Sequence, residues 1–586
     1  MKYTLLNSYD DNLSLIEKIF FNRGFETRED ISHYLNTTEA DILSPELLDN
    51  IQEGARMLED CITNNKKVFV IPDVDADGFT SAAILINYLS QINSDWVRNC
   101  ISYEINEGKH HGIILDNIPE GVSLVICPDS ASNDYEQHKA LKEKGVDVLV
   151  LDHHDAEYVS PDACVINNQL CNYPNKTLSG AGVVFKFCSY LDKVWNTGGL
   201  ANSFRDLAAL GMISDMVSLK DFETRHLIKT GLSSLRNPYF KTMCKKNEYS
   251  LGETLTPIGI AFYITPYINA TIRMGSKSEK QTLFESMLDL KAYEEIPSTK
   301  RGCKGQVETR VEQACRNCTN IKNRQTRARD ASLERVEGLI SKNNLLDNKI
   351  LTILLPKEIE FETTLTGLIA NQLMAKYQKP VLLLRQGEII RGGKNTIETI
   401  WEGSARGLSQ SQFDDFKAYV TQTNLFTLAQ GHANAFGSAI LDENVEKFIE
   451  LSNKELANFN FEPCYNIDCI FDGKDFSAEE VLSIGELSTI WGQGVEEPYV
   501  LIKNLAVSKD KITLMKGNTL KIQLDNGCSL IRFKSSEEEY NSLYSDLGCV
   551  RINVVGRCDK NVWNGRATAQ IKVVDIEIVS EDPYYF

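Results

Sequence analysis

The chain has 586 residues, 42% of them hydrophobic and 24% charged, and its 81 acidic against 62 basic side chains leave a net charge of −19. That length exceeds one hydrophobic core and predicts three or four domains, and no apolar run reaches the roughly 18 residues that a membrane-spanning helix needs. The acidic balance argues against nucleic-acid binding over the whole surface, because phosphate rewards Lys and Arg, but net charge is a whole-chain sum that conceals local basic surfaces.

In chain order, the opening residues MKYTLLNSYDDNLSLIEKIFF lack a basic leader with an apolar stretch and a small-residue cleavage site, so a cytoplasmic protein is expected. Fifteen scattered cysteines, an odd number, fit reduced thiols in that compartment. Residues 1–55 read as an N-terminal helical segment, amphipathic from about Ser14. An α/β domain follows over 56–240, where VFVIPDVDADGF, SLVICPDS and DVLVLDHHD each read as a buried strand that ends in polar, ligand-type residues. In such sheets functional side chains gather beyond the carboxyl ends of the strands.

Residues 241–345 read as a helical connector. Within it Lys300, Arg301, Lys304, Arg310, Arg316, Lys322, Arg324, Arg327 and Arg329 face only Glu308 and Glu312, a local basic surface that is either a solvated helix face or a DNA-facing one. Cys315 and Cys318 form a lone CxxC, and without a second pair they read as ordinary helix residues rather than half a zinc site. A second α/β unit spans 346–455, through KILTILLP, LTGLIANQLMAKYQ and PVLLLRQ. Over 460–586 short strands alternate with turns, which predicts a small β-barrel with an OB-fold as the leading candidate. The expected fold class is α/β: two α/β domains joined by a helical connector, with a C-terminal OB-like β-barrel.

Asp73, Asp75 and Asp77 alternate in DVDADG after a strand, so an extended backbone aims all three carboxylates to one side. Like charges so close repel unless cations neutralise them. A calcium loop opens in the same way but needs a Glu at its twelfth position, where this chain has Ile84. Asp129 follows a second strand, Asp152, His153 and His154 a third, and Asp215 lies after the apolar segment AALGMIS. Carboxylates mixed with imidazoles suit two Mn²⁺ or Mg²⁺ ions acting on a phosphodiester.

The ordered series DVDADG, PDS, LDHHD and GMISD resembles the four motifs of the DHH phosphoesterases. Position by position, the resemblance implies Asp75, Asp77, Asp129, His153 and Asp215 as metal ligands and Asp73 as close support or a further ligand. Asp152 would orient the site and His154 would contact the scissile phosphate. The likeness is specifically to RecJ enzymes: EGKHHG is similar to EGYG, LSGAGVVFKF to CGAGVAFK, ETRHLIKTGL to ENRxLVxxGL, PYINATIRMG to PRINAAGRxG, and WGQGVEEP to FGxGNPEP. NVWNGR fits the last barrel strands. GSARG and GHANAFG look like the GSxRS and GGHxxAAG of the DHH-associated domain, which implies that Ser404, Arg406, Gly431 and His432, together with the retained Arg273, bind substrate. Arg406 offers a permanently charged fork, and glycines beside His432 let the backbone approach a phosphate.

The resemblance implies a hydrolase that degrades single-stranded DNA from its end, 5′ to 3′, with two Mn²⁺ or Mg²⁺ ions, in repair, recombination or replication. It further implies a monomer away from membranes, with single-stranded DNA and a single-strand-binding or other replication or repair protein as partners. Departures fall on the grip of the 5′ end. Glu104 stands where an Arg precedes EGYG, Asn371 and Gln372 stand for a Ser-Arg pair, Lys109-His110-His111 replace the Tyr of EGYG, and Gln430 replaces the first Gly of GGH. Lys109 or the basic stretch is the expected compensation. Two alternatives are an oligonucleotide or cyclic-dinucleotide phosphodiesterase, which would lack the barrel, and a non-catalytic replication scaffold, which would have lost the ligands.

Overall fold

The computed structural model describes every residue except 7–11, 109, 391–396, 409–412, 414, 517, 544–547, 564 and 581–586, so Lys109 and part of NVWNGR lie outside the described residues. The chain divides into two compact units: residues 23–323 with 486–497, and residues 1–22, 324–485 and 498–586.

The first unit is built on five parallel strands, β1 (Lys67–Val70), β2 (Ile101–Tyr103), β3 (Val122–Pro128), β4 (Asp147–Asp152) and β5 (Cys164–Asn167), in the order β2-β1-β3-β4-β5. Val68, Phe69, Val70, Val125, Ile126, Leu149, Val150 and Leu151 are buried on both faces of the sheet, as a parallel sheet covered by helices requires. Helix α1 (Ala76–Ile92) is buried from Ala76 to Ser90, so no polar stripe is needed along it. It packs against α2 (Gly180–Trp195) and α3 (Arg205–Ser214).

One buried ion pair ties this layer together. Lys186 of α2 and Glu223 of α4 (Phe222–Ser233) are fully buried with Nζ and Oε1 2.7 Å apart. The carboxylate also accepts hydrogen bonds from Tyr173 Oη, Asn175 Nδ2 and the Leu43 N–H. Removing one partner of such a pair strands the other charge and costs on the order of 3–5 kcal/mol.

The stretch expected as a mostly helical connector contains a two-stranded antiparallel hairpin, Glu295–Pro297 with Val307–Thr309, before the 33-residue helix α5 (Arg310–Lys342) begins. Glycines at 302 and 305 in the hairpin's connection take positive φ, which is why the chain turns there instead of continuing helically. The basic stretch is partly consumed inside the unit, since Arg310 pairs with Glu285 and Glu294, and Arg316 with Glu308. Cys315 and Cys318 are buried helix residues, with Cys318 Sγ 3.4 Å from Tyr239 Oη.

The second unit contains strands β6 (Leu351–Leu355), β7 (Val381–Ile390), β8 (Ile397–Arg406), β9 (Phe426–His432) and β10 (Ala435–Leu441), ordered β9-β10-β8-β7-β6. Only β6 and β7 pair in parallel, joined by helix α6 (Thr366–Tyr377). Its C-terminal portion is a seven-stranded sheet of β11 (Cys469–Asp472), β12 (Val500–Ser508), β13 (Ile512–Met515), β14 (Thr519–Gln523), β15 (Ser529–Phe533), β16 (Cys549–Trp563) and β17 (Arg566–Ser580), ordered β11-β12-β16-β17-β15-β14-β13. The first residues differ from the helical expectation. Lys2–Leu5 is a strand paired in parallel with Cys464–Ile467, an edge that the later sequence supplies. Among the described residues no helix is long and apolar enough to cross a membrane.

Candidate active site

Three neighbouring strands, β1, β3 and β4, deliver the acidic motifs at their carboxyl ends. The extended DVDADG geometry expected from sequence is corrected by the structure. Asp75 is the N-cap of α1, accepting the Gly78 N–H at 2.9 Å, so Asp77 already lies in the first helical turn. A capping carboxylate satisfies an otherwise orphaned helix N–H, and here that preference outcompetes continuation of the strand. Convergence survives through tertiary packing. Ligand atoms of Asp73, Asp75 and Asp129 lie within 4.8 Å of one another, and so do those of Asp77, His153 and Asp215.

Asp129 takes φ of +70° directly after β3, with its N–H donating to the Leu151 carbonyl at 2.8 Å, and this turn aims its carboxylate inward. Asp215 caps the C-terminus of α3 and is the most exposed of the cluster's carboxylates, at 31%. Two glycines permit the close packing. A Cβ on Gly180 would collide with Asp129 Oδ1, and one on Gly211 with Asp77 Oδ1, Ala181 and Thr80. Ser179 Oγ and the Ala181 N–H both donate to Asp77 Oδ1, at 2.8 and 3.2 Å.

Both oxygens of Asp129, Oδ2 of Asp77, Oδ1 of Asp73 and Nε2 of His153 are buried without a hydrogen-bond partner. His153 Nε2 lies 3.2 Å from Asp129 Oδ1, 3.7 Å from Asp215 Oδ2 and 4.0 Å from Asp77 Oδ2. At 3.2 Å the pair is close enough to bond, yet its orientation fails hydrogen-bond geometry. Orphaned anionic oxygens beside an available imidazole nitrogen form a donor set that fits a hard divalent cation.

The electrostatics separate these groups by role. Burial, and then the neighbouring Asp75 charge, push Asp77 up to about 7. Burial with Asp77 and Asp75 raises Asp215 to about 8, and burial with Asp77 lifts Asp129 well above the carboxylate range. Burial lowers His153 to about 4, leaving a neutral imidazole with a free lone pair. Asp152 is different: although burial alone would raise it, the hydrogen bond from His154 and that cation's charge hold it at about 2. Its Oδ1 accepts the His153 and His154 N–H groups and sits 2.8 Å from His154 Nδ1, while Oδ2 accepts the Ser132 N–H. Asp152 therefore orients the histidines through these bonds, and an oxygen of it also lies within 4.8 Å of ligand atoms of Asp129, His153 and His154. That same bond raises His154 to about 9, so a 54%-exposed cation faces solvent at neutral pH.

Those shifts have a measurable consequence. Asp77 and Asp215 hold protons in the folded, metal-free protein that the unfolded chain releases near pH 4, so their contribution to stability is complete below about pH 4 and is lost as pH rises through about 7 to 8. A divalent cation selects the deprotonated carboxylates and reverses this trend. The rise in melting temperature on adding saturating Mn²⁺ is therefore expected to grow between about pH 5 and pH 8, and calorimetry in buffers of different ionisation heat should record proton release on metal binding. A stabilisation that shrinks with rising pH would contradict the assignment.

Sequence reasoning treated His111 only as part of a replaced segment. In the structure its Nδ1 lies 2.6 Å from Asp73 Oδ2, making it a neighbour of the cluster. The sole signal for it was its place in EGKHHG, since nothing local predicts a contact across 38 residues. The expected substrate-binding residues divide between the units. Arg273 is exposed in the last turn of the helix Thr265–Met274 of the first unit. In the second unit Ser404 and Arg406 lie two apart on β8, with Ser404 Oγ 3.1 Å from Thr366 Oγ1 at the start of α6. Arg406 and His432 both register with Ala435, and with Gly431 they share one end of the sheet.

The model of the DHH family N-terminal domain matches residues 67–212, and the model of the RecJ OB domain matches 467–575. A Bacillus subtilis protein, the SPbeta prophage product YorK, provisionally named a single-strand DNA-specific exonuclease, is 36% identical over 99% of this chain and 98% of its own length. The chain belongs to the RecJ family. The single-stranded-DNA-specific exonuclease RecJ of Bacillus subtilis is 26% identical to this RecJ-family chain, over 96% of this chain and 68% of that protein. A crystal structure of Thermus thermophilus RecJ in complex with Mn²⁺ shares its fold, with a TM-score of 0.68 and 21% identity over 96% of this chain and 76% of that one. In this RecJ chain the DHH match contains every motif from Asp73 to His154 and ends three residues before Asp215, while the OB match covers most of the seven-stranded sheet.

Proposed function

We propose that this RecJ-family chain is a metal-dependent hydrolase that removes nucleotides from the end of single-stranded DNA in a 5′-to-3′ direction. The observation that carries the reading is the cluster of buried, unpartnered carboxylate oxygens of Asp73, Asp77 and Asp129 beside the neutral His153. Asp73, Asp75, Asp77, Asp129, His153 and Asp215 would hold two Mn²⁺ or Mg²⁺ ions. Such ions lower the pKa of bound water and neutralise charge on a phosphodiester.

The chain's own groups do the rest. His154, cationic and anchored by Asp152, binds and orients a phosphate oxygen. Ser404, Arg406, Gly431 and His432 hold further phosphates, and Arg273 adds an exposed cation. Glu104 pairs with Lys277 Nζ at 2.6 Å, which keeps a cation beside the position where the family pattern expects an Arg. The same reading takes in the OB domain as a single-strand contact, a monomer as the working form, and a single-strand-binding or other replication or repair protein as partner. Fifteen scattered cysteines, an odd number, support a cytoplasmic setting.

The test is degradation of single-stranded DNA labelled separately at each end, with Mn²⁺ or Mg²⁺, beside duplex DNA, short RNA and cyclic dinucleotides. Stepwise loss from the 5′ end, absent with chelator and in Asp75→Ala, is expected. Hydrolysis confined to two-to-five-nucleotide substrates would overturn the reading in favour of an oligonucleotide phosphodiesterase, and loss from the 3′ end would reverse the polarity.

A further inference from the structure

Metal ligands and phosphate contacts recognise the backbone of a nucleotide rather than its base. Two loops that build the cluster, however, each lead into a tyrosine. The loop after β3 carries Asp129 and Ser132 and runs into Tyr135, and the loop after β4 carries His153 and His154 and reaches Tyr158. Ser132 N–H donates to Asp152 Oδ2, and Asn133 Nδ2 donates to the Asp155 carbonyl at 2.8 Å, so the two loops are tied together. The tyrosine rings stack with centroids 4.1 Å apart and planes inclined by 8°.

The stack is held in place rather than merely touching. Tyr135 Oη accepts the Tyr158 N–H at 3.2 Å and lies within donating distance of the Tyr158 carbonyl at 3.1 Å and of Asn133 Oδ1 at 3.2 Å. Tyr158 is nevertheless 51% exposed, with Tyr135 stacked on one face of its ring. A pair that served only packing would bury both faces, and an unrestrained surface tyrosine would lose conformational freedom on binding. Tyr158 lies four positions after His154, at most about 14 Å of chain, which spans a few nucleotides at a stacked spacing of about 3.4 Å.

We propose that Tyr158, backed by Tyr135, is a stacking platform for one base of the single strand, within a few nucleotides of the phosphate that His154 contacts. This rests on the reading of the chain as a single-strand exonuclease. Every base has a π-face, so the platform grips the strand without sequence preference. A base in a duplex is already stacked on its neighbours, so the platform also favours single strands. Tyr158 is a positioning residue, since it acts on the strand and not on the reacting atoms.

The test compares wild type, Tyr158→Leu and Tyr158→Phe in steady-state hydrolysis of single-stranded DNA, using substrates in which one abasic residue is walked inward from the attacked end. Loss of a base–aromatic stack predicts a rise in KM of about tenfold for Tyr158→Leu with kcat within about twofold, and Tyr158→Phe should match wild type. One abasic position should penalise wild type by a similar factor and add nothing in Tyr158→Leu. Unchanged KM in Tyr158→Leu, or penalties that simply multiply at every position, would overturn the platform while leaving the exonuclease reading intact. A wild-type protein that degrades no single-stranded DNA removes both. If Tyr158→Leu does not fold, the abasic walk on wild type decides, and a penalty without position dependence overturns the proposal.

Discussion

Asp129→Asn is expected to lower kcat/KM on single-stranded DNA by on the order of a thousandfold or more while leaving the metal-free protein at least as stable as wild type. Both Asp129 oxygens are buried without a hydrogen-bond partner, and burial, then the neighbouring Asp77 and Asp75, disfavour its ionised form. Without a cation, burial and those neighbours keep Asp129 protonated and uncharged, so an isosteric neutral amide costs the metal-free fold little while it removes the charge that a ligand brings to a cation. Ligand binding to the folded state adds about 2.7 kcal/mol at a hundred times Kd, and the variant should lose most of the thermal stabilisation that Mn²⁺ confers. Thermal unfolding with and without Mn²⁺, beside end-labelled DNA hydrolysis, measures both halves. A variant that unfolds early without metal, yet retains the Mn²⁺ increment, would show Asp129 to be structural.

The second large effect is expected from a residue with no side chain. Gly180→Ala places a methyl group where Asp129 Oδ1 sits, in the first turn of α2. Overpacking of this kind costs about 1–3 kcal/mol. A displacement of a site group by about 1 Å costs on the order of a hundredfold in rate, so activity should fall far more than stability does. Gly182→Ala is the matched control. The three atoms nearest its added methyl are Leu178 side-chain atoms at 3.1–3.5 Å, and an adjustment of a few tenths of an ångström, with no site group displaced, accommodates it. Near-wild-type kcat/KM in Gly180→Ala, with the fold intact, would mean that Asp129 has room to move and that the packing against α2 is not what positions it.

Much of the candidate site was legible because its residues sit at strand ends, where local pattern is informative. Buried β1, β3 and β4 announce themselves as apolar runs, and the polar residues that interrupt them, Asp73, Asp129 and Asp152 to His154, are the ones that converge. The conformation of DVDADG was not legible, because the capping bond from Gly78 N–H to Asp75 competes with strand extension on nearly equal local terms. The hairpin at 295–309 and the strand Lys2–Leu5 were missed for related reasons. A three-residue strand carries too little periodicity to register, and the partner of Lys2–Leu5 lies more than 450 residues away.

The sequence by itself determined the residue types of the site, their order along the chain and the α/β frame that gathers them, because alternation and strand-end chemistry are local properties. Only the tertiary structure decided which carboxylates are free and which are engaged. Asp152 and Asp129 look alike in sequence, yet one is bound by four donors from its own turn and from Ser132, and the other has none. Burial, the approach of α2 and α3 through Gly180 and Gly211, and the stacking of Tyr135 on Tyr158 arise from elements far apart in the chain. Distances between such elements are set by packing of the whole core, and no local pattern encodes them.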